Sequence, residues 1–240
     1  MFGIVLPPSY GKTQFILGVT ERELRAQQSL PCVKPRAVSL ADLSENRNIH
    51  VFFSPDDNVI DLLLALIARE EKSICVAAYM ITDKKVAQKL VEAHKRGVRV
   101  ELIADTCCIK SDAGNISSLV KHAIPVYVYQ GTAPSSAMSN IMHHKFIVFG
   151  KNIGNKSFVW TGSFNFTHSA QQYNQENVVI FSDPYAVERF SQHFELLKKR
   201  CVSYCLVPKE KQKVAKKTKK KASRTTCHIS KCSSKKHERV

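Results

Sequence analysis

The chain has 240 residues, 44% of them hydrophobic and 23% charged, enough to bury one substantial core. No apolar run approaches the ~20 residues that span a bilayer; the longest, Val59 to Ala68, is interrupted by Asp61, and Met1 to Leu6 is too short for the apolar part of a signal peptide. The formal net charge of +16 is unevenly placed, with 16 Lys or Arg against 2 Asp or Glu from Lys198 to Val240 and 20 against 18 in the rest, which excludes a strongly basic body.

These features predict a cytoplasmic protein. The eight cysteines, Cys32, Cys75, Cys107, Cys108, Cys201, Cys205, Cys227 and Cys232, have no framework spacing and are expected to be thiols. Their spacing near the C-terminus is too irregular for a zinc site.

Residues 1–48 mix Pro7-Pro8, Pro31 and Pro35 with a short helical candidate, Thr20 to Gln28, and are read as an extension. Gly11-Lys12-Thr13 lacks the upstream glycine of a phosphate loop, since position 6 is Leu, and reads as plain loop. The body, 49–207, opens on the strand Ile49 to Phe53. Ser54-Pro55-Asp56-Asp57 then offers turn and capping chemistry to a well-buried helix, Val59 to Arg69. Ser73 to Tyr79 reads as a strand, and Thr82-Asp83 caps the helix Lys84 to Arg96, which Gly97 ends. Next come a strand, Val98 to Ala104, a loop at Cys107-Cys108, a short helix, Ile116 to His122, and a strand, Pro125 to Tyr129.

A polar loop, Gly131 to Asn140, leads into a strand expected over Met142 to Phe149. On it His143 and Lys145 share a face and His144 takes the other. Phe158 to Thr161 and Val178 to Phe181 are further strands, and Asp183-Pro184 starts a last helix, Tyr185 to Arg200. This alternation predicts an α/β fold with a largely buried sheet. The tail, 208–240, is Lys- and Ser-rich with few apolar residues and is expected to be disordered.

The order of motifs then becomes specific: His143-x-Lys145, Gly162-Ser163-x-Asn165, and Glu176. With Phe53-Ser54-Pro55, Ala77-Ala78-Tyr79 and Ala93-His94-Lys95-Arg96-Gly97-Val98 upstream, residues 50–200 resemble the phospholipase D superfamily. The resemblance is to its small members with one His-x-Lys motif, the bacterial Nuc-type endonucleases and the mitochondrial cardiolipin hydrolase/Zucchini proteins. It implies a mixed sheet flanked by helices on both faces. It implies a phosphohistidine mechanism with His143 as nucleophile and a second His143, from a homodimer partner, as general acid.

In that reading Lys145, Ser163 and Asn165 bind the phosphate and Glu176 accepts a hydrogen bond from His143, favouring the imidazolium. No metal or other cofactor is implied. One departure stands out: the position that carries Asp after the lysine in the family motif is Gly150 here. That Asp supports local structure in the family rather than attacking phosphorus. Phe164 and Phe166 read as core. The expected activity is an endonuclease, with the basic tail assisting nucleic-acid binding through phosphate contacts. The alternatives are a phospholipase D acting on phosphatidyl lipids or cardiolipin, with anionic phospholipid as the tail's partner, and a catalytically degenerate nucleic-acid-binding protein.

Overall fold

The computed structural model describes residues 34–43, 47–111, 113–130 and 140–205. The helical candidate and the Gly11 loop near the N-terminus, most of the loop from Gly131, and the basic tail lie outside the described residues. Eight strands occur among the described residues: β1 (Ile49–Ser54), β2 (Ser73–Ala78), β3 (Arg99–Asp105), β4 (Val126–Tyr129), β5 (Lys145–Phe149), β6 (Phe158–Gly162), β7 (Glu176–Phe181) and β8 (Cys201–Ser203). The helices are α1 (Val59–Arg69), α2 (Lys84–Lys95), α3 (Thr106–Ser111), α4 (Ala113–Lys121), α5 (His168–Gln172) and α6 (Pro184–Lys198). One mixed sheet runs in the order β1-β7-β6-β5-β2-β3-β4-β8.

Its centre follows from composition. Ser-Ile-Cys-Val-Ala-Ala in β2 offers both faces to apolar layers, and all six residues are buried. On one side β2 pairs parallel with β3, and β3 with β4, through helical crossovers. On the other side β5, β6, β7 and β1 continue antiparallel. The pleat alternates between two cores. Ile74, Val76, Ala78, Ile147, Phe149 and Trp160 face α1, α2 and α4. Cys75, Ala77, Phe146, Val148 and Val159 face α6 through Phe194 and Leu197.

The expectation of helices on both faces of a mixed sheet therefore holds. In α1, Val59, Leu62, Leu63, Leu66 and Ile67 are buried; each such side chain contributes about 1.5–3 kcal/mol. Asp83 caps α2 as expected, its Oδ1 accepting from Lys85 N and Val86 N at 2.8 and 3.2 Å. Phe164 and Phe166 are fully buried.

Some boundaries differ. The body reaches upstream of Ile49, because Val38 and Leu43 are buried in the larger core. β5 starts at Lys145 rather than Met142, because the Met142 N–H is spent on the Asp105 carboxylate (2.9 Å) instead of a neighbouring strand. Cys107 and Cys108 lie in α3 rather than a loop, since the same carboxylate accepts from Cys107 N at 2.7 Å and fixes the first turn. None of the described cysteines is in a disulfide. Among the described residues no helix is long and apolar enough to cross a membrane.

Candidate active site

Because β2 and β3 run parallel while β5 is antiparallel to β2, the end of β2 lies beside the start of β5, with Ala78 opposite Lys145. The next two antiparallel pairings put the end of β6 and the start of β7 at the same edge, with Gly162 opposite Val178. Five of the sequence-predicted residues, His143, Lys145, Ser163, Asn165 and Glu176, thus fall on loops and strand ends at one end of the sheet. This is where α/β folds place their ligands, beyond the carboxyl ends of the parallel strands.

His143 is exposed while Lys145 is 5% exposed. Tyr79, directly after β2, joins them: its ring lies 4.5 Å from the His143 ring, centre to centre, and 4.9 Å from Lys145 Nζ. Lys145 Nζ donates to the His143 carbonyl oxygen at 2.7 Å. An ammonium has three donors, so two remain for a ligand. Burial pulls the Lys145 pKa down and the Glu176 carboxylate pulls it back up. The His143 pKa is also lowered, by burial first and the Lys145 charge second, with Asp105 opposing both. A lowered imidazole pKa favours the neutral ring, the form with a free electron pair.

Ser163 is held at the β6 end by a reciprocal pair with Asn177. Ser163 N donates to Asn177 O at 3.1 Å, and Asn177 N donates to Ser163 Oγ at 3.0 Å. Gly162 must be glycine here: its φ is +147°, and a Cβ would run into Asn177 O. Phe166, bonded to Met80 O through its N–H, ties the Gly162-to-Thr167 loop to the chain after β2. Asn165 is half-buried, with an Oδ1 that has no partner.

Glu176 differs from expectation. Its Oε1 accepts from Asn174 Nδ2 at 3.0 Å, and its charge acts on Lys145. Within one chain the expected Glu176–His143 hydrogen bond is not formed, and the imidazolium is disfavoured rather than favoured. The carboxylate that acts on His143 is Asp105, which is 3% exposed and holds the N–H of Met142, the residue before His143. The sequence carried a faint signal for it, an acid closing an apolar strand at the catalytic end. Tyr79 was visible only as part of a family-like string.

The Gly150 departure has a structural counterpart. A Cβ at Gly150 would collide with Ser73 Oγ and come within 3.2 Å of Ser73 N. The nearby carboxylate is Glu70, just after α1 and 2% exposed. Its Oε1 accepts from Lys72 N, Ser73 N and Lys151 N at 3.0, 2.9 and 2.7 Å, and its Oε2 from Asn152 Nδ2 at 3.0 Å. The hairpin that follows β5 is thus pinned to the end of α1.

Comparison with known proteins bears on the family and the fold. A family model described as "Cardiolipin synthase, PLD-like domain" matches residues 63–198, the stretch that holds these site residues. The chain is 30% identical over 166 residues to a phospholipase D of Rickettsia typhi, covering 69% of this chain and 75% of the relative. To a mitochondrial cardiolipin hydrolase of Xenopus tropicalis it is 31% identical over 141 residues, 59% of this chain and 61% of the relative. The crystal structure of Nuc, a phospholipase D family member from Salmonella typhimurium, superposes with a TM-score of 0.56 at 29% identity, covering 66% of this chain and 98% of that one. The chain belongs to the phospholipase D superfamily of phosphodiesterase-type hydrolases.

Proposed function

We propose that the protein cleaves phosphodiester bonds through a phosphohistidine intermediate at a site shared by two copies of the chain, most readily in nucleic acid. The observation that carries this reading is a neutral-leaning His143 beside a buried Lys145 ammonium, at a sheet end lined by Ser163 and Asn165. The imidazole electron pair attacks phosphorus. The P–N bond forms as the P–O bond to the leaving alcohol breaks, and Lys145 and Ser163 balance charge on the non-bridging oxygens.

The leaving oxygen needs a proton. The adjacent histidine is turned away, since His144 faces Phe146 and His193 on the other side of the sheet. A second His143 from a partner copy meets the need, then deprotonates the water that cleaves the P–N bond. Two imidazoles and two ammonium groups carry out this sequence without a metal.

The match along nearly the whole of Nuc favours a nuclease. A second reading, hydrolysis of phosphatidyl lipid or cardiolipin by the same residues, is favoured by relatives named phospholipase D and cardiolipin hydrolase. Incubation with single- and double-stranded DNA, RNA, and phosphatidylcholine or cardiolipin vesicles, each with and without chelator, separates the two. His143→Ala is expected to abolish turnover, and acid-labile phosphate is expected on the wild-type chain. Activity persisting in His143→Ala would sink the mechanism, and a fully active monomer would sink the shared site.

A further inference from the structure

His144 and His193 have no part in phosphoryl transfer, and their pairing is independent of it. They meet on the sheet face opposite His143, where Phe146 of β5 packs edge-on against Phe190 of α6 with ring centres 5.1 Å apart. The two imidazoles bring Nε2 and Nε2 to 3.1 Å, with ring centres 5.0 Å apart and planes at 82°. Both side chains are exposed, so the pair is open to solvent. Phe146 lies against both rings, 5.6 Å from His144 and 6.4 Å from His193, which limits how far either can swing.

Two nitrogens bound at ~2.0–2.1 Å to one tetrahedral ion stand about 3.3 Å apart. The observed separation is within a few tenths of an ångström of that. A straight N–H···N bond of the same length would place the ring centres about 5.4 Å apart. At 5.0 Å the two ring axes are not collinear.

The geometry points to a two-histidine site for a divalent transition-metal ion of the zinc, nickel or copper class, clipping α6 to the segment that leads into β5. Imidazole nitrogen selects these ions over magnesium and calcium, which take oxygen ligands. Among the described residues no group of three or more His, Cys, Asp or Glu is placed to hold a metal, so the two imidazoles are the ligands this site offers from those residues, with positions left for water. Such an ion acts on stability. It ties together residues 49 positions apart in sequence, and any effect of chelator on melting would be separate from phosphoryl transfer.

The test uses the full chain, stripped of metal and titrated with Zn²⁺ by calorimetry, with His193→Gln and His144→Gln alongside. Zn²⁺ is expected to raise the melting temperature by about 3–6 °C at a tenfold excess over its dissociation constant. Each variant is expected to bind one equivalent fewer per chain and to lose that gain, so any ions held by cysteines in the tail cancel in the difference. Cu²⁺ electron paramagnetic resonance should show two imidazole nitrogens in the wild type and lose that signature in either variant. His193→Gln without metal should melt as the wild type does and keep its turnover. Unchanged stoichiometry and an unchanged Zn²⁺ response in both variants would overturn the proposal and leave the pair as a hydrogen bond alone.

Discussion

Replacing Asp105 by Asn keeps the size of the side chain and removes its charge. The carboxylate is 3% exposed and accepts from Met142 N and Cys107 N at 2.9 and 2.7 Å. Hydrogen bonds to an ionised acceptor are worth about 1.5–3 kcal/mol each. Asn keeps one carbonyl oxygen, so one bond survives weakened and the other N–H faces an amide NH2, at a cost of about 1–3 kcal/mol. The expected loss of stability is about 2–4 kcal/mol, read by thermal or urea denaturation.

The effect on activity has its own sign. Asp105 raises the His143 pKa against burial and the Lys145 charge. Without it the pKa falls further, and the neutral, attacking imidazole persists to lower pH. The acid limb of kcat/KM for a chromogenic phosphodiester should therefore move to lower pH, even if the maximum rate drops. A limb that stays in place or moves to higher pH, in a variant that still folds, would refute the electrostatic role and leave Asp105 as a backbone anchor only.

Glu70→Ala strands three buried or part-buried backbone N–H groups and leaves Asn152 Nδ2 with Leu66 O alone, and should cost about 3–5 kcal/mol in urea denaturation, at the upper end for a single change. Gly150→Asp, which restores the family motif, should lower stability by about 1–3 kcal/mol rather than raise activity, because the new Cβ meets Ser73 Oγ and backbone; a more stable or more active variant would contradict the packing. Lys145→Met keeps the stem and removes a buried charge, so melting should be unchanged or higher while kcat falls by about 10²–10³, as for loss of a charge-stabilising group.

The sheet was legible because its strands are short apolar runs of the right length between helix caps, and the deepest, β2, is apolar on both faces. What sequence could not show were features set by distant partners. The edge strand β8 has only three residues and exists because Tyr127, Val128 and Tyr129 of β4 offer it an open edge. The helix at Thr106–Ser111 depends on the Asp105 carboxylate. His143 and Lys145 were placed on one side and His144 on the other from the two-residue period, and the ring contacts agree. Within the single chain Glu176 acts on Lys145 and Asp105 on His143, a division that spacing does not encode.

Gly150 shows which parts of such a motif can move. A group that attacks phosphorus or holds its oxygens is fixed by the geometry of the transition state, so the roles proposed for His143 and Lys145 could not be taken over from a distant position. A residue that only satisfies backbone donors can be replaced by any carboxylate that reaches them. Glu70 reaches Lys151 N from 81 positions upstream, at 2.7 Å, and also takes the Ser73 and Lys72 N–H groups. Glycine at position 150 then allows Ser73 to close against the strand end, with Gly150 N donating to Ser73 O at 2.9 Å. An acid at both places would crowd the hairpin, whereas the carboxylate at Glu70 alone satisfies it. The departure from the motif thus falls in a hairpin that Glu70 already pins, away from His143 and Lys145 at the other end of β5.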